Sequence, residues 1–144
     1  MIEQDTIKLL RECDAGIKMG VASIEDVLDN VQSDKMRKYL CQSKEKHEDL
    51  MHEVQALLTS YNDDGKEPNP VAQTMSTLKT GMNLAMKDSD KTNADLMLDG
   101  CDMGVKSLSK YLNQYAAADE QSKNITKRLI KVEEDLGKQM REFL

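Results

Sequence analysis

Four stretches of this chain place apolar or small side chains in alternating steps of three and four residues, and no stretch alternates in steps of two. The first runs through Leu10, Cys13, Ile17, Gly20, Ile24, Val27 and Val31. The second is Met36, Leu40, Ser43, His47, Leu50, Val54, Leu57 and Tyr61. The third is Ala94, Leu98, Cys101, Val105, Leu108, Leu112 and Tyr115; the last is Ser122, Ile125, Leu129, Val132, Leu136, Met140 and Phe143. Such spacing keeps side chains on one face of an α-helix, whereas a strand repeats every second residue. Four helices with one apolar stripe each hide those stripes most economically against one another, as a bundle.

The breaks between stripes carry helix-boundary chemistry. Gln32-Ser33-Asp34 ends the first, and Ser33 or Asp34 is suited to cap the second helix. Residues 62–70 form a polar loop with a glycine and both prolines, and Asn69-Pro70 looks like a cap followed by a first-turn proline. A shorter helix is expected next, with Val71, Met75, Leu78 and Met82 on one face, interrupted at Asp88-Ser89-Asp90. The expected fold is all-α: an antiparallel four-helix bundle with a shorter connecting helix, residues 1–144 making a single domain. The segment from about 62 to 90 joins two hairpins and is long enough to run the height of the bundle.

Composition narrows the chemistry. Aromatic residues are only 3% of the chain, with no Trp and one Phe, so aliphatics and ten Met must fill the core. Met75, Met82, Met86, Met97 and Met103 are therefore read as core filler first, and as a soft partner surface second. A net charge of −6 argues against nucleic acid or an anionic membrane as a partner. No apolar run reaches the roughly 20 residues of a membrane span, and MIEQDTIKLL lacks the features of a signal peptide. Three cysteines, Cys13, Cys41 and Cys101, with no CxxC, fit buried free thiols in a reducing cytoplasm.

The chain also repeats itself. Residues 13–18 read CDAGIK and residues 101–106 read CDMGVK. Asp14 with Lys18, and Asp102 with Lys106, stand four apart and can pair along a helix. Gly16 and Gly104 each cost roughly 1 kcal/mol inside a helix, which points to a close helix–helix approach at both. Lys46–Leu50 matches Val132–Leu136 more loosely, placing His47 opposite Glu133 in the repeat. Two copies of one helical hairpin about an approximate two-fold axis explain this pattern; chance likeness of amphipathic helices competes with it.

With Cys13-x-x-Gly16 opening the first helix, Thr74-Met75-Ser76-Thr77-Leu78-Lys79 after the loop, and Cys101-x-x-Gly104 followed by a later Tyr, the chain resembles an uncharacterised family of short bacterial ferritin-like four-helix bundles. The resemblance implies a ferritin-like fold and raises the question of two iron or manganese ions in the core. That chemistry takes a Glu from each of two helices and Glu-x-x-His from each of the others. The family commonly carries Glu directly after the Gly of Cys-x-x-Gly; here Ile17 and Val105 stand there, and neither binds metal.

Both histidines, His47 and His52, lie on the second helix. Lys44 precedes His47 by three residues, and Asp49 precedes His52 by three. His47 falls on the inward seam, so a buried His47–Glu133 pair is expected as a remnant of a lost site. Glu48 and His52 are four apart and suited at most to one adventitious surface ion. These four residues are the metal candidates. Cys41 stands six residues from His47, roughly 9 Å along the axis, a poor distance for proton transfer. No phosphate loop, nucleophile elbow or zinc spacing occurs. The expectation is a non-enzymatic interaction or assembly module that self-associates or binds another protein, without cofactor. An unconventional metal binder centred on His47 is the alternative, and a small-ligand binder using gaps beside Gly16, Gly20 and Gly104 a third.

Overall fold

The computed structural model describes residues 2–68 and 89–144, and among them every regular element is helical. Helix α1 spans Ile2–Leu28, α2 spans Asp34–Ser60, α3 spans Asp90–Gln114 and α4 spans Glu120–Met140, followed by a 3-10 turn at Arg141–Phe143. The expected connecting helix from Val71, its Asn69-Pro70 start, and Met75, Met82 and Met86 lie outside the described residues.

Local chemistry sets the ends. Ser33, Ser89 and Asp119 cap α2, α3 and α4, their side chains accepting the N–H of Met36, Thr92 and Ser122. Each such cap is worth about 1 kcal/mol. Helix α1 has no basic residue in its last turn. Arg37 supplies the charge from α2, donating to the carbonyls of Leu28 and Val31. Past α2, Asn62 adopts φ 57° and Asp63 N–H returns to Leu58 O at 2.9 Å, closing the last turn in the left-handed manner.

The ends also tie the helices together. Asp90, in the first turn of α3, accepts the backbone N–H of Gln32 at 2.8 Å and of Ser33 at 2.9 Å. The α1–α2 turn and the start of α3 therefore share one end of the molecule. At the other end Thr6 accepts Asp119 N–H at 2.8 Å and Asp5 accepts Ala117 N–H at 3.0 Å.

The core has two apolar halves. One holds Ile24, Val27 and Val31, Met36 and Leu40, Ala94, Met97 and Cys101, and Leu136 and Met140. The other holds Leu10, Cys13 and Ile17, Leu50, Val54 and Leu58, Leu108, and Ile125 and Leu129. In chain order, Gly20, Ser43 and His47, Gly104, and Glu133 fall between the two sets on their four helices.

The stripes are confirmed with shifts of phase. Leu58 rather than Leu57 is buried at the end of α2, and Met97 rather than Leu98 on α3. An α-helix turns 3.6 residues per turn, so a strict seven-residue seam drifts by about 20° per heptad. The Met reading divides: Met97 is core, whereas Met103 is 64% exposed. Cys41 is a correction too, since it is exposed while Cys13 and Cys101 are buried. It lies one position past the seam residue Leu40, on the solvent side of α2.

Candidate histidine–carboxylate centre

The layer between the core halves is built around His47, fully buried on α2. Its Nε2 stands 2.5 Å from Glu133 Oε1 of α4, and its Nδ1 stands 2.7 Å from the Ser43 carbonyl oxygen. A carbonyl only accepts, so Nδ1 carries a proton and donates to Ser43 O. One further proton then lies between Nε2 and the carboxylate. Burial opposes charge on the imidazole, but the Glu133 carboxylate and the Ser43 carbonyl outweigh it, and the His47 pKa is raised.

Two glycines make the space. A Cβ on Gly20 of α1 would stand 2.7 Å from His47 Nε2 and 2.9 Å from Cδ2. A Cβ on Gly104 of α3 would stand 3.4 Å from Glu133 Oε2. The imidazole thus occupies the volume a side chain on α1 would take. The close approach expected at Gly16 is corrected: among the described residues no atom lies within 4 Å of a Cβ built there, and Gly20, one turn on, takes that role.

The four candidate metal residues separate into two pairs. His47 and Glu133 meet in the centre; Glu48 and His52 are both exposed on α2, with Asp49 exposed beside them. Ile17 is fully buried in one apolar half, and Val105 is partly buried at the edge of a cleft between α3 and α4. Among the described residues no three His, Cys, Asp or Glu side chains converge as metal ligands would. The two-ion scheme of ferritin-like cores does not fit this donor set. A metal bridging His47 and Glu133 would need bonds of about 2.0–2.2 Å to each, pushing N and O well beyond their present 2.5 Å.

Burial disfavours the thiolate form of both buried cysteines. Burial pushes Cys13 up to about 12. Thr126 Oγ1 donates to Ser122 O, so at 3.2 Å the Cys13 thiol donates to Thr126. Burial, then the nearby Glu133 carboxylate, raises Cys101 further. Both stay protonated, the unreactive form.

A second polar cluster escaped the sequence reading. Asp14, 1% exposed, accepts from Lys18 Nζ and from the backbone N–H of Lys66, both at 2.9 Å. Lys66 reaches Glu12 at 2.5 Å, Lys18 reaches Glu67 at 2.9 Å, and Arg11 reaches Asp63 at 3.4 Å. Gly65 has φ +91° and lies so close that a Cβ would meet Asp14. The loop after α2 is thereby clamped on α1. The expected Asp14–Lys18 pair forms; Asp102 is exposed, and among the described residues no ion pair joins it to Lys106. The only advance signal was the Asp14 position inside the repeat.

No family model matches the chain, and neither a curated protein nor a solved structure matches it.

Proposed function

We propose that this chain is a ferritin-like bundle that has no working two-metal centre and acts as a non-enzymatic interaction or assembly module in the bacterial cytoplasm. The observation that carries the reading is the occupation of both His47 ring nitrogens by protein groups. Aliphatic Ile17 and Val105, standing where the resembling family keeps carboxylates, support it. The shared ends support the ferritin-like course: α1 ends where α2 and α3 begin, so neighbouring helices run in opposite directions. Polar or small positions between the two core halves on all four helices, Gly20, Ser43 and His47, Gly104 and Glu133, support the two related hairpins.

Association is the functional part of the proposal. Met103 and Leu144 are the exposed large apolar side chains among the described residues, so contacts through those faces would be mostly polar. Metal analysis and light scattering on the purified protein test both parts. The expected result is no stoichiometric iron, manganese or zinc, with a mass that rises with concentration. Stoichiometric metal that disappears in His47→Ala would overturn the reading. It would favour instead a metal binder in which His47 and Glu133 open around one ion, the reading their convergence supports.

A further inference from the structure

The segments that leave α1, α2 and α3 are fastened by different means. Val31 is buried in the turn after α1, and Ala118 in the turn after α3. Both turns also pass backbone N–H groups to a neighbouring helix: Gln32 and Ser33 donate to Asp90, Ala117 to Asp5 and Asp119 to Thr6. The loop after α2 differs. None of residues 62–67 is buried, although Pro68 beyond them is. Among the described residues, the Lys66 N–H is the one backbone donor of this loop that reaches α1, at Asp14. Ion pairs do the rest: Lys66 with Glu12, Glu67 with Lys18, and Asp63 with Arg11. In each pair one side chain stands open to water, and salt screens such pairs.

Closing the loop also carries a cost. Asp14 Oδ2 takes both donors, Lys18 Nζ and the Lys66 N–H. Its Oδ1 is buried and has no hydrogen-bond partner among the described residues. A carboxylate oxygen shut away from water without a donor is destabilising, and lifting the loop hydrates it. Screened ion pairs thus hold the closed state against an unsatisfied buried oxygen. We propose that residues 62–67 are an ionic latch, which swings off α1 as ionic strength rises while the bundle stays folded. Asn62, at φ 57°, and the buried Pro68 bound the moving part. The latch controls access to Glu12 and Asp14, which the closed loop engages through its own Lys66. This goes beyond the module reading and holds whether or not the bundle self-associates.

Amide hydrogen exchange resolved by NMR tests it, at fixed pH and from about 20 mM to about 500 mM NaCl. Three amides are compared: Lys66, the latch; Asp119, held by the neutral Thr6 hydroxyl; and Leu50, in the middle of α2. The expected result is Lys66 exchange that rises about fivefold or more with salt while Asp119 and Leu50 stay level. Glu12→Gln removes the Lys66 pair and leaves the Asp14 contact. With Leu50 exchange unchanged, it should raise the low-salt Lys66 rate toward the high-salt one. Salt-independent Lys66 exchange overturns the proposal, as does Lys66 opening only together with Leu50. An unchanged low-salt Lys66 rate in Glu12→Gln overturns it as well.

Discussion

CDAGIK on α1 and CDMGVK on α3 share four of six letters and do different work. Cys13 and Cys101 are both buried in the core. Past the cysteines the two copies part. Asp14 is buried and holds the loop through Lys66 N–H; Asp102 lies exposed at the cleft. Among the described residues nothing faces Gly16, while Gly104 abuts Glu133. Ile17 is fully buried and Val105 only partly. The lesson is that a helical repeat transmits the stripe, which depends on spacing within one helix. It does not transmit off-stripe roles, which depend on what another segment brings alongside.

Four experiments act on this contrast. The largest effect is expected at Gly20→Val, which drives a side chain into an imidazole held at both nitrogens. Overpacking of this kind costs up to about 3 kcal/mol. A Cβ at Gly104 meets only ordinary contact, with Glu133, so for Gly104→Val urea unfolding should show a clearly smaller loss. Equal losses would mean that both helices shape the centre alike. Next, Asp14→Ala should cost about 1–2 kcal/mol by releasing the Lys66 N–H and Lys18. Asp102→Ala should stay within about 0.5 kcal/mol. Faster protease cleavage near Gly65 in Asp14→Ala alone would localise the difference.

The third effect is pH dependence of the layer that Gly20 and Gly104 enclose. The His47 pKa is raised in the folded state, so its contribution is fully present below the unfolded value of 6.5 and is lost as pH rises through the folded value. Above it, a neutral ring donating from Nδ1 turns a lone pair toward the carboxylate. Thermal melting followed upward from about pH 6.5 should show a falling midpoint. His47→Gln should flatten that slope; an unchanged slope assigns it to other groups. The smallest effect is at Gly16→Ala, which meets no atom of the described residues and should stabilise by up to about 1 kcal/mol. A loss there would reveal a neighbour of α1 outside the described residues.

Much of this architecture was readable in advance because it is local. Helix extents followed from the three-and-four spacing to within a few residues, and of the two cap candidates, Ser33 and Asp34, it is Ser33 that accepts the Met36 N–H. The His47–Glu133 pair was readable as well, because the inward His had one acidic counterpart in the repeat. What stayed hidden is non-local or depends on fine phase. Nothing near Asp14 announces a partner at Lys66, and Gly20 resembles Gly16 until the imidazole is placed beside it. The exchange of Leu57 for Leu58 falls three heptads along its stripe from Met36, where the rotation of a 3.6-residue helix has accumulated to about 60°.

The layer at His47 has a consequence for how the helices choose their alignment. Aliphatic contacts are forgiving, and Leu, Ile and Met on either side would tolerate α2 slipping along α4 by one turn, about 5.4 Å. His47 would not. After such a slide it would face Leu129 or Leu136, leaving the buried imidazole Nε2 without its carboxylate. A single proton held between two side chains thus acts as a ruler, rejecting misaligned bundles that greasy surfaces alone would accept.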